Sequence, residues 1–245
     1  MSSRRIVLIT GASRGIGAQT ARILAARGDH VVVNYREKRR RAEDLVNEIG
    51  AAGGSASIAG ADLSDAAAAT ELIESTVARF GRLDALVLNA SGGLEQGAPP
   101  GYAMAINRDA QVRLTRAALP RLSAGGRIVF VTSHQAHFHG RKPVPADYEP
   151  IASSKRAGED ALRAMIPEFD RRAIGFTVVS GDMIDGTIIV RLLGRRDPAA
   201  VAARTAHGPL PTVPEFATAV ADATTATTDP GATVYIGGAD YLASR

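Results

Sequence analysis

Apolar runs of strand length alternate along the chain with stretches whose apolar positions recur at helical spacing. Ile6-Val7-Leu8-Ile9 reads as a buried strand, and Ile16, Thr20, Ile23 and Leu24 follow a helical period that ends near Gly28. Val31-Val32-Val33 predicts a second strand, Arg40 to Ile49 a helix, "SASIAGADL" a third strand, and Ala66 to Phe80 a helix capped by Ser64 or Asp65. "LDALVLNA" predicts a fourth strand, the segment from about Ala103 to Leu122 a long helix with Pro120 near its end, and "GRIVFVTS" a fifth strand. Ser153 to Met165 lies in a further helix, and "IGFTVVSG" and "ATVYIGG" supply two more strands. Strands separated by helices of this length need right-handed parallel crossovers. The expected fold is therefore α/β, a doubly wound, Rossmann-type, mostly parallel sheet with its ligands at the carboxyl ends of the strands. With no linker and no internal repeat, residues 1–245 read as one domain.

Composition narrows the choice of chemistry. The apolar fraction of 45% is ordinary, but aromatic residues make up 4% and Trp is absent, so aliphatic side chains must fill the core. The absence of Cys excludes disulfides, thiolate catalysis and zinc–thiolate sites, and with nothing to argue for an oxidising compartment the cytoplasm is the expected location. The start "MSSRRIVLITGAS" carries an apolar run no longer than a strand and no small-residue cleavage site, so neither a signal peptide nor a membrane span is read there. The net charge is +4, but the densest basic run, "REKRRRAED" from Arg36 to Asp44, is interrupted by Glu37, Glu43 and Asp44 and reads mostly as a solvated helix start. No recognition helix, zinc finger or aromatic stacking platform accompanies it, and no nucleic-acid partner is expected.

The first strand runs directly into "TGASRGIG", which places Gly11, Gly15 and Gly17 in a turn that opens a helix. There a backbone without side chains can approach a pyrophosphate, and the helix N-terminus offers free N–H groups and the positive end of its dipole. After the second strand, an enzyme for the unphosphorylated dinucleotide usually carries an acidic residue on the ribose 2′-hydroxyl. This chain has "VVVNYREK" instead. Asn34 and Arg36, with Arg14 from the turn, make a polar and cationic pocket suited to a 2′-phosphate, which favours NADP(H) as cofactor.

Taken together, these stretches resemble the short-chain dehydrogenase/reductase superfamily, and the likeness covers essentially the whole chain. "TGASRGIG" is similar to the family's TGxxxGxG turn, Asp62-Leu63 to the pair that meets the adenine, and "LNASGG" to its NNAG stretch, with Asn89 and Ala90 kept and the flanks altered. Asn107 stands where the family has its water-binding Asn, and Ser133 where it has its active-site Ser. The resemblance implies cofactor contacts from Gly11, Ser13, Arg14, Gly15, Ile16 and Gly17, from Asn34, Tyr35 and Arg36, and from Asp62 and Leu63. It implies further contacts from Asn89, Ala90 and Ser91, from Lys155, and from Ser180, Gly181 and Ile184.

The family's usual catalytic pair is Tyr-x-x-x-Lys, in which the Tyr donates its phenolic proton and the Lys holds the nicotinamide ribose and lowers the Tyr pKa. Four residues before Lys155 stands Ile151, so that motif is absent. Tyr148 gives Tyr-x6-Lys, a spacing similar to that of the enoyl-acyl-carrier-protein reductases of the same superfamily. "NYREK", "NASGG" and "VSGDMID" from Val179 to Asp185 also resemble stretches of those enzymes. Seven helical residues return to nearly the same face but span roughly 10 Å, too far for a short Tyr–Lys hydrogen bond. Pro150 favours the first turn of a helix and pushes Glu149 out of helical geometry, which leaves Tyr148 in the loop entering the helix. The candidate catalytic set is therefore Tyr148, Lys155, Ser133 and Asn107.

Between Ser133 and Tyr148 lies "HQAHFHGRKPVPAD". His134, His137 and His139 lack the i, i+4 spacing and the nearby acidic partner of a metal site, so no metal is expected. With Arg141 and Lys142 they are expected at the substrate mouth or against a second subunit, where a basic rim would suit an acidic or phosphopantetheine-bearing substrate. Ile188 to Val213 sits where the family has its substrate lid, and Leu192, Leu193 and Val201 fit a helical flap over an apolar substrate. Two functions follow: an NADPH-dependent reductase of a carbonyl or a conjugated enoyl or enone substrate, small-molecule or acyl-thioester, or a catalytically silent NADP(H)-binding sensor or assembly subunit. The resemblance implies a homodimer or homotetramer, with the helix Ala157 to Ile166 as one candidate contact.

Overall fold

The computed structural model describes residues 4–93, 97–187, 190–191, 194–195, 197–206 and 208–243. Seven parallel strands form one sheet: β1 (Ile6–Ile9), β2 (His30–Tyr35), β3 (Ser55–Gly60), β4 (Leu83–Leu88), β5 (Leu122–Ser133), β6 (Gly175–Gly181) and β7 (Ala232–Ile236). Their order is β3-β2-β1-β4-β5-β6-β7, so the chain reverses direction across the sheet between β1 and β4. Such a reversal leaves a crevice beyond the carboxyl ends of the two strands. Every neighbouring pair is parallel, which makes the sheet the doubly wound one the alternation predicts.

The period of two along the strands divides the core. Val7 and Ile9 face one layer, where α1 (Gly15–Ala26), α2 (Arg39–Ala51) and the helix Val213–Ala223 pack through Leu24, Leu45 and Phe216. Ile6 and Leu8 face the other, where α3 (Ala66–Phe80), α5 (Ala110–Ala118) and α7 (Glu149–Arg163) pack through Ile73, Leu114 and Leu162. Aliphatic side chains dominate both layers, as the scarcity of aromatics requires.

Several boundaries move, each for a local reason. Asp65, of the two candidates, caps α3, accepting from the N–H groups of Ala67 and Ala68. The long helix predicted from Ala103 is a turn at α4 (Tyr102–Met104), a π turn (Ala105–Asp109) and α5, and it stops before Pro120 because Leu122 already pairs with Leu83. Helix α7 starts at Glu149, so Glu149 is not displaced from helical geometry as expected: Pro150 fits within the first turn, where no N–H is needed, and Tyr148 is the N-cap. Two short helices, α6 (His134–His137) and α8 (Ile166–Arg171), escape a reading based on long periods. So does α10 (Val213–Ala223), although Thr212 and Glu215 close a capping box at its start. A helix α9 (Pro198–Thr205) and a last turn α11 (Ala239–Ala243) complete the described chain. No helix among the described residues is long and apolar enough to cross a membrane.

Candidate active site

The turn after β1 is shaped by three glycines. Gly11 and Gly15 have φ of +61° and +57°, values that other residues rarely adopt. A Cβ on Gly17 would lie 2.7 Å from Asn89 Nδ2 and 2.9 Å from Ala12 Cα, so only glycine lets α1 approach the turn after β4 this closely. Asn89 spends its amide on the carbonyls of Thr10 and Gly11, and the Thr10 hydroxyl accepts from the N–H groups of Asn89 and Ala90. Arg14 is the exposed N-cap of α1 and makes no side-chain cap, and no acidic residue occupies the first turn. The N–H groups at this helix start therefore remain available to an anion, and the glycine cradle leaves it room: these residues fit a dinucleotide pyrophosphate.

At the end of β2 the three predicted residues separate. Asn34 is 1% exposed, its side-chain Oδ1 accepting from Gly11 N–H at 3.1 Å and its Nδ2 donating to the Ala59 and Ala61 carbonyls, so its side chain braces the glycine turn from within. Tyr35 is buried, its hydroxyl against Gly60. Arg36 is partly exposed, bonded to the Tyr102 hydroxyl and paired with Glu37 at 3.0 Å. Asp62 holds the N–H and hydroxyl of Ser64, and Leu63 is core.

Three of the candidate catalytic residues meet at one cavity. Ser133 ends β5, and its hydroxyl lies 3.2 Å from the Tyr148 hydroxyl. Ser133 Oγ also accepts from Ala136 N–H, as N-cap of α6. Burial of the Tyr148 phenol pushes its pKa up, and the Ser133 hydrogen bond offsets this in part. Lys155 is 9% exposed, and burial pulls its pKa down to about 8 despite the Glu159 carboxylate, which acts to raise it. No hydrogen bond joins Tyr148 to Lys155 among the described residues. Ile151, where the usual Tyr would stand, is 3% exposed in apolar surroundings near Ala103 and Gly93.

Asn107 lies apart, in the π turn. Its amide donates to the Gly92 carbonyl and the Ser154 hydroxyl, and its oxygen accepts from Gly92 N–H, so it ties the turn after β4 to α7. A Cβ on Gly158 would come within 2.2 Å of the Asn107 carbonyl oxygen, which explains a glycine in mid-helix.

The histidines do not form a basic rim. His134 is 1% exposed, between the Ser180 hydroxyl and the Gly237 carbonyl; burial lowers its pKa, with the Gly237 hydrogen bond opposing. His137 turns inward to the fully buried Glu159, at 2.8 Å, and to the Tyr235 hydroxyl at 2.9 Å. Arg163 completes the Glu159 contacts at 2.8 Å. His139 pairs with Glu149. His134 lines the cavity, whereas His137 turns away to Glu159 and Tyr235, so the three do not share one rim. The buried Glu159, one turn after Lys155, shares the inward face of α7 with Lys155 and Ser154, and its spacing from Lys155 resembles an ordinary solvated i, i+4 pair in the sequence. No group of three or more potential metal ligands occurs among the described residues.

The cavity measures about 270 Å³. Ile16, Asn89, Ser91, Ser133, Tyr148, Lys155, Gly181 and Ile184 from the predicted set line it, together with Thr132, Asp147, Asp182, Met183, Arg204, Phe216 and Tyr241. Ser180 is behind its wall, held by His134, and a Cβ on Gly181 would strike Phe216 at 2.4 Å. Of the expected flap, Ile188, Ile189, Leu192 and Leu193 lie outside the described residues, whereas Val190 and Arg204 line the cavity.

Comparison with known proteins places these features in context. The family model for short chain dehydrogenase matches residues 5–196. A versicolorin reductase of Emericella nidulans is 37% identical over 142 residues, 56% of this chain and 54% of that protein, so the match spans about half of that relative's length. A 1-cyclohexenylcarbonyl-CoA reductase of Streptomyces collinus is 33% identical over 188 residues, 74% of this chain and 65% of that protein. Among solved structures, a short chain dehydrogenase from Burkholderia cenocepacia in complex with NADP superposes with a TM-score of 0.81 at 28% identity, covering 96% of both chains.

Proposed function

The chain belongs to the short-chain dehydrogenase family and is an oxidoreductase, and from that premise we propose that it reduces a carbonyl or a conjugated enoyl or enone substrate with NADPH. The observation that carries the reading is the 3.2 Å contact between the Ser133 and Tyr148 hydroxyls on the wall of the cavity that Lys155 also lines. A silent binding protein that had lost its Tyr to Ile151 would have no reason to aim the one at position 148 at Ser133.

NADPH, when bound, would supply the hydride. Tyr148 gives its proton to the oxygen that gains charge, and Ser133 donates a hydrogen bond to the same oxygen. Lys155 holds the nicotinamide ribose. Burial lowers the Lys155 pKa and raises that of Tyr148, which keeps on the phenol the proton it is to donate. Arg14 and Arg36 receive the 2′-phosphate, with Asn34 acting behind them as the brace of the glycine turn. Asn107 holds Gly92 and α7 in register and so positions Lys155. Val190 and Arg204, from the described part of residues 188–213, would belong to a substrate lid, and the protein works as a homodimer or homotetramer.

The test is NADPH oxidation with a ketone and quinone panel and with crotonyl-CoA. Turnover is expected on at least one class, with Tyr148→Phe lowering kcat by about 10²- to 10⁴-fold. No turnover on any compound, or full activity in the variant, rejects the reading.

A further inference from the structure

The inward face of α7 holds a charged group that the proposed reaction does not touch. Glu159 is fully buried, one turn after Lys155 on the same face. His137 Nδ1 and Arg163 Nε each approach its carboxylate to 2.8 Å. A carboxylate only accepts, so His137 donates through Nδ1, and its Nε2 meets the Tyr235 hydroxyl of β7 at 2.9 Å. Arg163 also binds the Gly231 carbonyl and the Thr233 hydroxyl, and Arg156 binds the His137 carbonyl, so α6, α7 and β7 together fix the carboxylate in place. Burial acts to raise the Glu159 pKa, but the contacts with His137 and Arg163 outweigh it and the net shift is downward. Glu159 is thus a fixed negative charge inside the molecule.

Such buried ionic sets add little stability over apolar side chains of the same shape, so the use of this one lies in what feels its charge. Residues four apart on a helix have Cβ atoms about 5–6 Å apart, and Lys155, buried and lining the cavity, is that neighbour. No ion pair joins the two among the described residues, which leaves the Lys155 N–H groups free for the cavity. His134, Asp147, Tyr148, Asp182, Arg204 and Tyr241 share its wall; Asp182 is spent on Arg204, and Glu159 is the carboxylate that acts on Lys155. Because burial pulls the Lys155 pKa down to about 8, a nearby counter-charge decides whether this side chain is a cation at working pH. We propose that Glu159 is a positioning residue for the proposed reaction: acting across one helical turn rather than by contact, its carboxylate keeps Lys155 an ammonium that can hold the ribose, and so sets the upper pH limit of turnover. The effect on turnover rests on the reductase reading above; the effect on Lys155 does not.

The experiment follows the ε-methylene signals of protein labelled with 13C-lysine through a pH titration. The lysines are Lys38, Lys142 and Lys155, and Lys155→Met identifies the signal of interest. Glu159→Gln, which keeps the shape but not the charge, is expected to lower the Lys155 midpoint by about one pH unit or more. Arg163→Met, which removes a cation while His137 still holds the carboxylate, is expected to raise it. A role in packing alone predicts that both variants admit water and raise the midpoint toward 10.5. NADPH-linked turnover reads the consequence: in Glu159→Gln the ratio of kcat/KM at pH 9 to that at pH 6 is expected to fall about tenfold, the factor that one pH unit carries. An unmoved or raised Lys155 midpoint in Glu159→Gln overturns the proposal, as does a lowered one in Arg163→Met or an unchanged ratio in an active Glu159→Gln. In the wild type the alkaline fall of kcat/KM is expected at the Lys155 midpoint, and a separation of the two by more than about one pH unit overturns the proposal even if a variant misfolds. If the wild type reduces nothing, the reductase reading fails by itself, and the midpoints still decide whether Glu159 acts on Lys155.

Discussion

The turn after β1 and the loop before α7 both present groups to the same crevice, yet they are built on opposite principles. The first works through backbone: glycines without side chains, N–H groups at the start of α1, carbonyls held by Asn89 and the Gly11 N–H held by Asn34. Its geometry is fixed by neighbours in sequence and by strands paired residue to residue. The second works through side chains from separate elements, Ser133 from the end of β5, Tyr148 from an N-cap and Lys155 from mid-helix, which only the folded chain brings to one wall. A backbone site tolerates no change of its glycines, whereas a side-chain site can move a functional group along the chain provided its end arrives at the same place. That is how a phenol at position 148 can face Ser133 while position 151 is buried as Ile.

The contrast can be broken most forcefully at Tyr148. Tyr148→Phe is expected to cost about 10²- to 10⁴-fold in kcat while the NADPH dissociation constant, read by fluorescence titration, stays within about twofold. A matching loss of affinity would merge the two regions into one. Lys155 gives the next largest effect, in stability. Its pKa falls from 10.5 to about 8 on folding, so between these pH values the unfolded chain holds a proton that the folded chain has released, and raising the pH favours the folded state. Below about 8 the full cost of a buried charge is present. Lys155→Met is therefore expected to raise the urea midpoint at pH 7, by an amount that shrinks as the pH climbs from 8 toward 10.5; a variant less stable at pH 7 contradicts it.

The glycine turn should fail differently. Gly17→Ala places a Cβ against Asn89 and Ala12 and is expected to destabilise by about 1–3 kcal/mol in denaturant titration, with NADPH binding lost in parallel rather than spared. Arg14 should give the smallest effect. Arg14→Ala is expected to weaken NADPH by about tenfold, the lower range of a hydrogen bond to a charged group, and to leave NADH within twofold. Equal weakening of both would remove Arg14 from the 2′-phosphate.

The same contrast explains what could be read from the chain. β1, α1 and the glycine turn follow one another in sequence, so period, turn chemistry and motif agree, and the parallel pairing of the strands follows from the alternation of elements, whereas their order does not. Tyr148 could be nominated from Pro150 and the Lys155 spacing, and Ser133 from its place at the end of a strand, but not their direct contact, which the path of the intervening loop decides. His137 and Glu159 stand 22 positions apart and became a pair only when α6 was set against α7. Arg204 and Asp182, also 22 positions apart, likewise pair only in the folded chain.

The π turn at Ala105–Asp109 carries a consequence for how such a chain can change. It amounts to one residue more than an α-helix would use, a phase shift of about 100° between the residues before it and those after it. Downstream, Leu114 and Ala118 follow the phase the sheet requires; upstream, Tyr102 meets Arg36 on a phase of its own, with Asn107 at the seam. One helix thereby serves two clients that need not agree on rotation. Substitutions along it retouch one client at a time, whereas a single-residue deletion would re-clock both at once, so length rather than composition is what holds this segment to its present form.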